Sequence, residues 1–133
     1  MLNIINNKQT LYGIDNYASV IDNVIKILNI NDYYFDIKLI LTEALLNAFE
    51  HGNNSDKTKP IDLISTFDGK CIIFEIVHYL SNSKNIKIPN DISDENLLEE
   101  HGRGLFLIKS LSDTVEFKYN SLIIKKYILN CTA

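Results

Sequence analysis

Two cysteines, two prolines, five glycines, one arginine and no tryptophan occur among the 133 residues. Cys71 and Cys131 form no C-x-x-C pair, so neither a zinc site nor a dithiol redox motif is expected, and both read as reduced, structural thiols. The scarcity of proline and glycine excludes collagen-like and low-complexity character. Long hydrophobic runs are also missing. The longest, residues 71–74 and 105–108, are four residues each, far below the roughly 18 needed to cross a bilayer. Asn3, Asn6, Asn7, Lys8 and Asp15 interrupt the first apolar positions, which argues against a signal peptide and predicts a cytoplasmic protein. Positive charge is in short supply: the formal net charge is −4 and the lysines are scattered. With no basic stripe, neither nucleic acid nor an anionic membrane is an expected partner.

The composition that remains is that of a globular protein, 46% hydrophobic and 23% charged. The length suits one domain, residues 1–133, able to bury about two thirds of its unfolded surface. Residues 2–6 read as a short edge strand. Residues 15–29 place Ala18, Ile21, Val24, Ile25 and Leu28 at helical spacing. A second helix is predicted from Asp36, as N-cap, to Gly52, with Ile37, Ile40, Leu41, Ala44, Leu45, Ala48 and Phe49 on its apolar side. After a polar loop, residues 61–67 and 71–79 are β-branched, aromatic-rich strands. Asp68-Gly69 between them predicts a tight type I′ hairpin.

Residues 81–90 are polar and residues 93–100 have a short acidic helical pattern, together the best candidate for a mobile lid. A short helix over 105–111 and a hairpin of 115–117 with 122–129 complete the order. Mixed, mostly antiparallel strands with helices on one face predict an α+β two-layer sandwich.

Two clusters could carry chemistry. Glu43 and Asn47 are four apart on the second helix, with His51 one turn further, so three polar groups share a face. A carboxylate can take a proton from a hydroxyl, and a carboxamide oxygen suits Mg²⁺; the spacing is also what any solvated helix face produces. In His101-Gly102-Arg103-Gly104-Leu105, two glycines leave backbone N–H groups open to an anion at the start of a helix, and Arg103 adds charge. The Lys-Ser/Thr of a P-loop is missing, and a plain glycine-rich turn before a helix has the same pattern.

Taken together and in this order, the two clusters resemble the ATP-binding fold of histidine kinases, gyrase and heat-shock chaperones. Within that fold they most resemble the bacterial anti-sigma-factor serine kinases. Thr42-Glu43-Ala44-Leu45-Leu46-Asn47-Ala48-Phe49-Glu50-His51-Gly52 is similar to that family's E-A-x-x-N-A-x-x-H helix. Glu100-His101-Gly102-Arg103-Gly104-Leu105-Phe106-Leu107-Ile108 is similar to its glycine box, with Asp113 and Val115 following. The resemblance implies ATP and Mg²⁺ as ligands and Glu43 as general base. It also implies Asn47 as metal and nucleotide ligand, His51 as a further nucleotide-site residue, and Gly102, Arg103, Gly104 and Leu105 as lid hinge and phosphate contacts. It implies a homodimer that phosphorylates a serine of an antagonist protein, which competes with a sigma factor for the kinase.

The sequence departs from the family at the adenine site. Where the family carries V-x-D-x-G, this chain reads Val77-His78-Tyr79-Leu80-Ser81. Tyr79 is expected to replace the base-reading Asp and to crowd the pocket, and Ser81 to replace the glycine; Glu75 is a weak substitute acceptor. Loss of such an acceptor typically costs about 1 to 3 kcal/mol. The alternative is therefore a degenerate, non-catalytic partner-binding module of the same fold.

Overall fold

The structure is a computed structural model that describes residues 4–79 and 100–128. Ser81, Cys131, the polar stretch 81–90 and most of the acidic stretch 93–100 lie outside the described residues.

Five strands form one sheet: β1 (Ile5–Tyr12), β2 (Pro60–Phe67), β3 (Cys71–His78), β4 (Thr114–Lys118) and β5 (Ser121–Tyr127). Their order is β1-β2-β3-β5-β4, and every pairing is antiparallel. Three helices, α1 (Tyr17–Leu28), α2 (Tyr34–Asn47) and α3 (Glu100–Leu111), cover one face. This is the expected α+β two-layer architecture.

Strand periodicity decides which side chains meet the helices. Alternate residues point to opposite faces, and in β3 the buried set is Ile72, Phe74, Ile76 and His78. The register puts Ile61, Leu63, Leu122 and Ile124 on the same face, where they pack under Ile21, Val24, Ile25 and Leu28 of α1 and Ile37, Ile40, Leu41, Ala44 and Leu45 of α2. Leu105 and Ile108 of α3 complete this core.

Several boundaries differ from expectation. β1 runs to Tyr12 rather than stopping at residue 6; as an edge strand it alternates half-buried and exposed residues, so its polar Asn7 and Gln9 masked its length. α2 starts at Tyr34, directly after a 3₁₀ turn over Asn31–Tyr33. Asp36 is thus not the N-cap but an acidic residue of the first turn, where its charge suits the helix dipole. The β2–β3 turn is not type I′, which needs positive φ at both central residues. Only Gly69 is left-handed there, at φ 94°, and the Asp68 carboxylate closes the turn by accepting the N–H groups of Lys70 and Cys71 at 2.9 and 2.8 Å. α3 is described from Glu100 rather than 105, so the glycine box is itself helical and not a loop before the helix. Its other end is held by Lys126, whose ammonium donates to the Leu111 carbonyl at 2.7 Å and lies 3.7 Å from Asp36. A cation at a helix C-terminus satisfies orphan carbonyls and complements the dipole.

Candidate functional site

Directly after Asn47 the α-helix widens into one π-helical turn, Ala48–Gly52. Such turns carry an extra residue and recur at functional sites. Asn47 lines a recess between α2 and the sheet, whereas His51 is exposed on the turn.

The recess is walled by Ala44, Asn47, Ala48 and Gly52 from the helical layer and by Ile76, His78, Phe117 and Leu122 from the sheet. It holds about 250 Å³ of empty space, counted to the open solvent. Its lining is mainly apolar, with one carboxamide and one imidazole.

Glu43, half-buried one turn before Asn47, faces α3. A Cβ added at Gly104 would stand 2.7 Å from Glu43 Oε2 and 3.6 Å from its Cδ. The two motifs identified in the sequence thus meet in space, and Gly104, lacking a side chain, leaves room for the carboxylate. Gly104 is the residue of the glycine box that stands against the Glu43 carboxylate. Arg103 is exposed and Leu105 is fully buried, the first as an available cation and the second as a core anchor.

Asn53 and His78 escaped the sequence reading. Asn53 is fully buried. Its amide donates to the Pro60 carbonyl at 3.0 Å, its carbonyl accepts the Tyr79 N–H at 3.0 Å, and its backbone N–H reaches Ala48 O at 2.8 Å. One side chain thereby ties the π turn to the end of β3 and the start of β2. In sequence it is an Asn after a Gly, which reads as a turn.

His78 is 7% exposed, and its imidazole lies against Gly52: a Cβ there would come within 2.5 Å of His78 Cγ. The signal was available, because the β3 period that buries Ile72, Phe74 and Ile76 also turns residue 78 inward and 79 outward.

Tyr79 accordingly does not crowd the cleft. Its hydroxyl donates to Asp62 on the opposite face of the sheet, where Asp62 also accepts from Thr10 Oγ1 at 2.7 Å and lies 3.8 Å from the Lys8 ammonium. Burial pushes the Asp62 carboxyl up, but the hydrogen bonds from Tyr79 and Thr10 and the charge of Lys8 outweigh it, and the net shift is downward. The bond to Asp62 raises the Tyr79 phenol, with burial and the charges of Asp62 and Glu75 adding to it. Glu75 is on that outer face too, accepting from Ser121 Oγ at 3.0 Å. It is not placed to read a base in the recess.

The profile of the histidine kinase-like ATPase domain matches residues 18–126. The chain belongs to this family. Comparison with curated proteins gave no match. Family membership implies ATP binding. Among the described residues no group of three or more His, Cys, Asp or Glu is placed to hold a metal ion. Mg²⁺ beside substrate phosphates needs only one or two protein oxygens, and the Asn47 carboxamide at the recess can supply one. No helix among the described residues is long and apolar enough to cross a membrane.

Proposed function

We propose that this chain is an ATP-dependent protein serine kinase of the anti-sigma type, a regulator that exchanges a sigma factor for an antagonist protein and phosphorylates the antagonist on serine. The observation that carries this reading is the meeting of Glu43 with Gly104, which joins a carboxylate to the glycine box that would face phosphate. Bound Mg-ATP supplies the γ-phosphoryl group and the metal charge that offsets its oxygens.

Glu43 is the base in this reading. Its carboxylate accepts the proton of the serine hydroxyl as that oxygen attacks phosphorus and the bond to the β-phosphate oxygen breaks, then returns the proton to solvent. Asn47 holds the metal through its carboxamide oxygen. Gly102 and Arg103 offer backbone N–H groups, and Arg103 a guanidinium, to phosphate oxygens. The homodimer follows from the resemblance to the anti-sigma kinases, and the cytoplasmic setting from the polar residues that interrupt the first apolar positions.

The narrow recess behind His78 favours a second reading, a partner-binding module of the same fold without catalysis. Calorimetric titration with ATP, with and without Mg²⁺, separates the two. Metal-dependent micromolar binding, followed by serine phosphorylation of an added antagonist protein, supports the kinase. No heat of binding at millimolar ATP from a folded sample supports the module.

A further inference from the structure

The geometry points to His78 as the residue that closes the base end of the cleft, so that the chain recognises the magnesium-triphosphate group of a nucleotide and is indifferent to the base attached to it. This rests on the nucleotide-binding reading above and names the ligand class that the same site takes.

The recess beside Asn47 is walled on its helical side by Ala44 and Ala48 and on its sheet side by Ile76, Leu122 and Phe117. A slot between two apolar walls, with a polar group at one end, is the shape that takes a flat base. In this chain a flat aromatic ring is already there. His78 is 7% exposed and belongs to the recess lining, and its ring lies so close to Gly52 that any side chain at residue 52 would collide with it. The empty space beside the ring is about 250 Å³ with the open mouth counted.

The backbone that carries the ring is held from both sides. The His78 N–H donates to the Asn120 carbonyl at 3.1 Å, and the His78 carbonyl accepts the Asn120 amide at 2.6 Å. The next N–H, of Tyr79, is bonded to the buried Asn53, and the Tyr79 hydroxyl to Asp62. The strand end cannot shift to withdraw the ring without breaking these bonds together. Glu43 beside Gly104, and Asn47 at the edge of the recess, belong to the helical layer and not to this strand end.

The test is calorimetric titration of the folded chain with Mg-ATP, Mg-GTP and Mg-tripolyphosphate at matched ionic strength, for the wild type, His78→Ala and His78→Ser. In the wild type the three ligands bind within about threefold of one another, because the base adds nothing. In His78→Ala, ATP binds about tenfold or more tightly than tripolyphosphate, as an apolar slot becomes available; His78→Ser gives the same ratio if the alanine variant does not fold. A wild type that prefers ATP to tripolyphosphate or GTP by tenfold or more, or folded variants with an unchanged ratio, overturns the assignment while leaving the nucleotide site intact. Failure of all three ligands to bind any folded form removes the nucleotide reading itself, and the assignment with it.

Discussion

Gly104 sits so close to Glu43 that a methyl group on it would meet the carboxylate oxygen at 2.7 Å. The atom it meets is the far end of a flexible side chain, so Gly104→Ala is expected to unfold nothing. The substitution even suits a helix position, where alanine exceeds glycine by about 0.5–1 kcal/mol. What it displaces is the carboxylate. Phosphoryl transfer should fall by about tenfold or more while the thermal midpoint holds or rises, and a midpoint that drops with activity would mean that Gly104 serves packing alone.

Glu43→Ala removes the base without touching the metal ligand. Serine phosphorylation of the antagonist should be abolished, while partner binding persists in a pull-down of the two purified proteins. Transfer at the wild-type rate would remove Glu43 from the chemistry.

Asn47→Ala deletes the carboxamide that lines the recess. The gain in ATP affinity on adding Mg²⁺ should disappear, with affinity in EDTA unchanged. A variant that still binds Mg-ATP better than ATP alone would place the metal elsewhere.

Asp62 and Tyr79 form a pH-sensitive fastening on the outer face of the sheet. The Asp62 carboxyl lies below its ordinary 3.8 in the folded chain, so the stabilisation it gives is fully present above that value and is lost as pH falls through the lower folded one. The Tyr79 phenol lies above its ordinary 10.0, so its contribution is complete below that value and is lost as pH rises through the higher folded one. Asp62→Asn should lower stability at neutral pH by about 1–3 kcal/mol and flatten both ends of the profile. Denaturant midpoints measured across acid, neutral and alkaline pH give the slopes, and parallel profiles for the two proteins would contradict the pairing. Tyr79→Asp, which on sequence grounds would restore an adenine acceptor and tighten ATP binding, instead sets a second carboxylate beside Asp62 and should destabilise the fold with no gain in affinity.

Gly52→Ala forces a Cβ to within 2.5 Å of His78 Cγ and 2.9 Å of its Cβ. Neither atom can swing away as a chain end does, so the variant should lose about 1–3 kcal/mol of stability by overpacking. Combining it with His78→Ala should recover most of that loss in chemical denaturation, and a purely additive double variant would show that the contact is not the cause.

The layers of this protein were legible in one dimension. The spacing of Ile21, Val24, Ile25 and Leu28, and of Ile37, Ile40, Leu41, Ala44 and Leu45, marks two helical faces, and all nine side chains are buried in the core. The β-branched and aromatic content of residues 61–67 and 71–79 likewise marks strands that pair antiparallel. Periodicity is a local property of the backbone, so it reports which side of its own element a residue occupies. The family resemblance of the Glu43–Asn47 helix and the glycine box was legible for the same reason, as two short strings of fixed spacing.

The rest depended on segments far apart in the chain. Gly104 meets Glu43 only because α3 packs on α2 across the sheet, and Asn53 reaches Tyr79 only because the loop after the π turn folds back under β3. The π turn itself is one extra residue in a winding that no helical spacing announces. Tyr79 turned outward because β3 keeps its alternation to the last residue, and it found Asp62 because the register of β1, β2 and β3 brings Thr10, Asp62 and Val77 side by side. Spacing along the chain sets the face of each element; which faces close on one another is set by the joint packing of all of them, and the chemistry of the cleft lies in that closure.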